Sequence, residues 1–197
     1  MYRFAETTGE TGAPLVFTFH GTGGSAEQFH GLARELIPGA HVISPQGDVN
    51  EGGAARFFRR TGEGVYDMDD LAVRTAAMRD FVSAAIARVK PSRVIGLGYS
   101  NGANILASVM LDGPRLFDRA VLLHPLIPWA PGANPALDGM QVLITAGRRD
   151  PICPAPQTQG LADALSAMGA AVDLHWHPGG HEIDRSEIAA IQSALAE

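Results

Sequence analysis

The chain has 197 residues, 46% hydrophobic and 18% charged, a globular composition that excludes a disordered one. One domain spanning 1–197, with a substantial core, is expected at that length. The net charge of −6 offers no basic footprint, so no nucleic-acid partner is expected.

In chain order, residues 2–7 read as an antiparallel edge strand, 14–19 as a buried strand and 26–36 as a helix. A short strand follows at 41–45. The long helix over 69–90 places Leu71, Met78, Phe81, Val82, Ala85 and Ile86 mainly at three- and four-residue steps, and Pro91 stops it. Residues 93–97 form the next strand and 101–111 its helix, then two strands at 119–123 and 140–145. A helix over 155–168, a strand over 171–176 and a helix over 183–195 close the chain. Near-continuous apolar strands separated by helices predict an α/β fold, a mostly parallel sheet covered on both faces. Two connections differ in length. The stretch 46–68 is long, glycine-rich and aperiodic, which marks a loop that is either functional or disordered. The link 124–139 is short and leaves no room for an inserted cap, so an open site is expected.

Chemistry enters at Gly98-Tyr99-Ser100-Asn101-Gly102, directly after the 93–97 strand and opening a helix. That context makes Gly-x-Ser-x-Gly a nucleophile elbow, a turn tight enough to need glycine on both sides of the serine. An elbow needs an acid and then a histidine downstream. Asp150 follows the 140–145 strand and His181 follows the 171–176 strand, so both emerge at the same sheet edge as Ser100. His181 would take the Ser100 proton, and Asp150 would hold its tautomer. His20-Gly21-Thr22-Gly23-Gly24 follows the first buried strand, where a second oxyanion donor belongs; the backbone amides of Thr22 and Asn101 are the expected pair. Each such donor is typically worth about 2.7–4 kcal/mol in the transition state.

With these residues the chain resembles the phospholipase/carboxylesterase branch of the α/β-hydrolases, compact cap-less serine esterases related to acyl-protein thioesterases and dienelactone hydrolases. Gly147 with Asp150-Pro151-Ile152-Cys153, and Gly179-Gly180-His181, carry the resemblance further. Gln46-Gly47-Asp48-Val49 and Arg56-Phe57-Phe58-Arg59-Arg60 make it most similar to bacterial hydrolases associated with hydroquinone resistance. The resemblance implies hydrolysis of carboxylic esters, small or aryl, through an acyl-enzyme on Ser100 with no metal or organic cofactor. Dienelactone hydrolases carry cysteine as nucleophile, and this elbow carries Ser100. Two alternatives stand beside it: an acyl thioesterase or lysophospholipase with the same triad, and a non-catalytic ligand-binding protein.

Other residues carry two readings each. Phe57 and Phe58 could wall an acyl or aryl group with Arg59 binding a substrate carboxylate, or the phenylalanines could anchor a loop whose arginines are solvated. Trp129 could flank the cleft. His175, His177 and His181 form a His-x-His-x3-His pattern, but His181 belongs to the triad and no carboxylate cluster lies nearby, so no metal is expected. His20 and His124 read as structural histidines. Cys153, the only cysteine, forms no internal disulfide and favours a reducing, cytoplasmic setting. Residues 1–6 lack the apolar core of a secretory leader, and no run is long enough for membrane insertion. The expected partners are a small-molecule ester and, as an open alternative, a second copy in a homodimer.

Overall fold

Seven strands pair into one sheet because most of them present almost unbroken apolar runs to helices on both sides. The computed structural model describes residues 2–196; residues 1 and 197, the ends of the expected 1–197 span, lie outside the described residues. The chain opens with β1 (Phe4–Thr7), β2 (Leu15–Phe19), α1 (His30–Leu36) and β3 (His41–Pro45). Two small hairpins follow, β4 (Val49–Glu51) with β5 (Ala54–Arg56), and β6 (Arg60–Gly62) with β7 (Val65–Tyr66). Then come α2 (Met68–Val89), β8 (Val94–Tyr99), α3 (Asn101–Leu111), β9 (Arg119–Leu123) and β10 (Gln141–Gly147). The chain closes with α4 (Ala155–Ala167), β11 (Ala171–His177) and α5 (Arg185–Ala196).

The sheet order is β1-β3-β2-β8-β9-β10-β11. Only β1 runs antiparallel, pairing Phe4 with Pro45, as expected for an edge strand over 2–7. Alternate strand residues serve opposite layers. Leu15, Phe17 and Phe19 pack with residues of α2, α3 and α4, whereas Val16, Val42, Ile95 and Leu97 pack with residues of α1 and α5. Helices therefore cover both faces. Between β9 and β10 the regular structure is one 3-10 turn at Pro135–Leu137, so the expected absence of a cap holds there.

Two expectations change. The first helix begins at His30 rather than 26, because the Ala26 amide donates to Gln46 Oε1 and the Gln28 side chain accepts from the Gly21 amide. Those residues serve the surrounding loops instead of a helix. The stretch 46–68 is two hairpins rather than an irregular loop; strands of two or three residues are too short to display an alternation. Among the described residues no helix is long and apolar enough to cross a membrane.

Candidate active site

Ser100 joins β8 to α3 with φ 52° and ψ −117°, a conformation that costs a non-glycine residue roughly 1–3 kcal/mol. Packing and hydrogen bonds hold it there. The Ser100 amide donates to Leu123 O at 2.8 Å, and the Asn104 amide donates to Ser100 O at 2.9 Å. Both flanking glycines are sterically required. A Cβ on Gly98 would lie 2.6 Å from Gly102 O, and one on Gly102 would press into the carbonyls of Phe19 and His20. The helix thus packs directly on the β2 backbone, and Ser100 is lifted at the sheet edge.

The ends of β10 and β11 deliver the other two groups to that edge. Ser100 Oγ lies 2.8 Å from His181 Nε2, and His181 Nδ1 lies 2.7 Å from Asp150 Oδ2. The carboxylate assigns the tautomer: Nδ1 carries the proton, leaving the Nε2 lone pair to accept from the Ser100 hydroxyl. Asp150 Oδ1 accepts the Ile152 and Cys153 amides at 2.8 and 2.9 Å. Burial disfavours the Asp150 charge, but those amides together with the His181 and His124 rings outweigh it, and its pKa falls below the usual value. Tyr99 Oη donates to His181 O at 2.8 Å, tying the histidine loop to the strand that carries the serine. Chemically, such a chain can move a proton from a hydroxyl to an imidazole while a buried carboxylate balances the charge.

Ser100 and His181 open into a cleft of about 340 Å³, lined also by Thr22, Asn101, Arg56, Arg60, Tyr66 and Ile152. The Asn101 amide begins α3 and so has no acceptor within the helix. The hairpin loop expected to border the site is fastened to the residues beneath it. Gly23 N–H donates to Ala55 O, Arg56 Nη1 to Thr22 Oγ1 at 2.6 Å, and Phe57 N–H to Asn101 Oδ1 at 2.7 Å.

Residues 16–187 match the sequence pattern of the dienelactone hydrolase family. The chain belongs to that family. It is 38% identical to MhqD of Bacillus subtilis (strain 168) over 175 residues, 88% of each chain. Among solved structures it is similar to Atu2452, a protein of unknown function from Agrobacterium tumefaciens str. C58, with 52% identity and a TM-score of 0.94 over 99% of this chain and 96% of that one. It is also similar to a Bacillus cereus carboxylesterase, with 35% identity and a TM-score of 0.93 over 100% of this chain and 94% of the other. The protein is a hydrolase of the α/β-hydrolase fold with carboxylesterase relatives.

In this dienelactone hydrolase family member the expected substrate contacts fall elsewhere. Phe57 and Phe58 are fully buried in the core against Phe19 and Tyr66, and neither lines the cleft. Arg59 points outward to Asp67 and Asp70, its side chain 61% exposed. Trp129 packs edge-on against Tyr66 and lines a separate groove beside the start of α2. Arg56 and Arg60 face the cleft instead. Arg56 is not solvated: its side chain is 3% exposed, with Nε donating to Phe58 O and paired with Glu51.

Sequence reasoning also missed what stands behind Asp150. His124 Nδ1 lies 3.0 Å from Asp150 Oδ2, and its Nε2 lies 3.0 Å from Glu187 Oε1. Glu187 is the nearby carboxylate that the histidine pattern lacked, brought in by α5. Asp184-x-x-Glu187 is legible as a capping box: Asp184 Oδ1 accepts the Ser186 amide and Glu187 Oε2 accepts the Asp184 amide. Nothing in that signature says that the same glutamate is buried. Burial disfavours the Glu187 charge, yet hydrogen bonds from His124, Thr145 and the Asp184 amide hold its pKa low.

His124, His177 and Glu187 are close enough to consider as a metal-ligand set, and the proton assignment of His177 argues against it. His177 Nδ1 accepts from the Gly179 amide at 3.1 Å, so its Nε2 is the protonated nitrogen, facing Glu187 Oε2 at 3.4 Å. A metal-binding histidine needs the opposite arrangement, with the remote nitrogen donating. His175 turns to Ser186, so the His-x-His-x3-His pattern does not converge on one point.

Proposed function

We propose that this hydrolase is a serine carboxylesterase acting through an acyl-enzyme on Ser100. Ser100 Oγ attacks the ester carbonyl as its proton passes to His181 Nε2, and Asp150 balances the imidazolium. The oxyanion forms against the Thr22 and Asn101 amides. His181 then protonates the departing alcohol. A water deprotonated by His181 attacks the acyl-enzyme, and the carboxylic acid leaves with Ser100 regenerated. The single observation carrying this reading is the unbroken 2.8 Å and 2.7 Å chain from a strained serine to a buried carboxylate.

The cleft favours small esters over long acyl chains, since about 340 Å³ bordered by Arg56, Arg60 and Glu63 offers no long apolar groove. Serine in place of a cysteine nucleophile favours carboxylic esters over dienelactones. A reducing, cytoplasmic setting belongs to the proposal on the strength of Cys153 as the only cysteine, a thiol buried beside His124 and His181. The test is Ser100→Ala against aryl esters. Turnover should fall by roughly a million-fold with the thermal transition preserved, and a fluorophosphonate should label wild-type Ser100 alone. Turnover near the wild-type rate in Ser100→Ala would overturn the assignment.

A further inference from the structure

Of the buried histidines that the proposed chemistry does not use, His124 is the one bonded to Asp150. Asp150 Oδ2 receives two imidazole nitrogens, His181 Nδ1 at 2.7 Å and His124 Nδ1 at 3.0 Å. The remaining nitrogen of His124 meets Glu187 Oε1 at 3.0 Å. A neutral imidazole has one N–H and would set its lone pair against one of these carboxylates; the doubly protonated ring donates to both. The side chains of His124, Asp150 and Glu187 are all 0% exposed, so water cannot relieve a mismatch. Both anions are independently anchored, Asp150 by the Ile152 and Cys153 amides and Glu187 by Thr145 and the Asp184 amide. The backbone at His124 is strained as well, at φ 50°. Its amide donates to Thr145 O, and its carbonyl accepts from Cys153 Sγ. Strain retained at a fully buried ionisable residue points to a required orientation.

We propose that His124 is a positioning residue, an imidazolium clamped between Asp150 and Glu187 that fixes the Asp150 carboxylate and opposes protonation of His181. The inference rests on Ser100, His181 and Asp150 being the reacting set.

The sign follows from distance. The His124 and His181 rings are 5.2 Å apart, so a cation on the first makes a second positive charge on the second costlier. Glu187 sits beyond His124 and acts from farther away. The other groups facing the pair do not compete. His177 turns its Nε2 to Glu187 at 3.4 Å, on the side away from Asp150, and makes no hydrogen bond there. Burial pushes the Cys153 thiol up and raises Tyr99 to about 12, so both stay neutral. Glu63 and Glu182 are solvent-exposed and screened. Removing the His124 charge removes that opposition, so the acid limb of turnover should move to higher pH.

Two measurements test this. Histidine-selective 15N NMR of the wild-type protein should show one ring with both nitrogens still protonated at neutral pH, a signal absent from His124→Gln. The acid limb of kcat/KM for an aryl ester should move up by about one pH unit in His124→Gln, a roughly tenfold loss on that limb, with a smaller change on the alkaline plateau. A purely structural role would lower kcat/KM evenly at every pH. A neutral His124 ring at neutral pH, or parallel acid limbs, would overturn the proposal. If His124→Gln does not fold, the wild-type spectrum decides alone. Failure of fluorophosphonate to label wild-type Ser100 sinks the esterase reading instead, and the spectrum reads out independently of it.

Discussion

Asn101 Oδ1 accepts the Phe57 amide at 2.7 Å, so the residue after Ser100 also anchors the hairpin loop above it. Both residues are buried, which makes the bond expensive to lose. Asn101→Ala keeps the backbone amide proposed for the oxyanion but orphans the Phe57 N–H. A stability loss of about 1–3 kcal/mol is expected. In a protein of this size that lowers Tm by roughly 2–4 °C per kcal/mol. Turnover of aryl esters should fall as well, because Thr22 and Arg56 shift with the loop. An unchanged Tm, read by differential scanning calorimetry, would show that the bond does not hold the loop.

What the sequence disclosed follows from periodicity and burial. Strands such as Leu15–Phe19 and Arg119–Leu123 are buried on both faces, so their apolar runs are unbroken and easy to read. Ser100 and Asp150 each follow such a strand, and His181 follows the partly exposed edge strand β11, which the alternation of Val172, Leu174 and Trp176 still marks, so their common sheet edge was legible in the sequence. The segment 54–62 was not. Its strands are three residues long, and Phe57 and Phe58 lie between two of them, where no alternation tells wall from anchor. Buried, they tether the loop to Phe19 and Tyr66, leaving Arg56 and Arg60 to face the cleft. His124 and Glu187 were illegible as a pair for another reason: they are 63 residues apart and meet only through the order of β9, β10 and α5.

Arg56 sits where it can hold the Thr22 loop rather than a substrate. Its Nη1 donates to Thr22 Oγ1 at 2.6 Å, and its Nε is bound to Phe58 O and Glu51. Arg56→Ala removes that brace, and kcat for neutral and anionic aryl esters alike should fall by about tenfold or more. The alternative role, binding a substrate carboxylate, predicts a rise in KM confined to anionic esters. Steady-state kinetics on a matched ester pair separates the two.

His20 links the same loop to pH. Its Nδ1 donates to Gly21 O at 2.7 Å, and its Nε2 accepts the Gly47 amide at 2.9 Å, so a second ring proton has no acceptor. Burial lowers its pKa, with the Gly21 bond opposing weakly. The unfolded chain therefore takes up this proton first as pH falls. Stability contributed by His20 is full above about pH 6.5 and is lost progressively below it, down to the folded-state value. The wild-type advantage over His20→Gln in urea unfolding should shrink between about pH 7.5 and about pH 5. His30 shifts in the same direction but is common to both proteins and cancels in the difference. An advantage that holds or grows on acidification would contradict the assigned tautomer.

The elbow glycines give the sharpest steric contrast. A methyl group on Gly102 meets the carbonyls of Phe19 and His20, which are backbone and cannot swing aside. Gly102→Ala must push α3 away from β2 and carry Ser100 out of line with His181. A displacement near 1 Å typically costs about 100-fold in turnover, and overpacking of this kind costs about 1–3 kcal/mol of stability. Gly160, exposed within α4, has nothing within 4 Å of an added Cβ. Gly160→Ala should raise stability by about 0.5–1 kcal/mol through helix propensity, with turnover untouched. Thermal melts and aryl-ester kinetics on the two variants should therefore move in opposite directions for stability and diverge for activity. Wild-type turnover and Tm in Gly102→Ala would mean that the helix start is not locked against the β2 backbone, and that the strain at Ser100 has another origin.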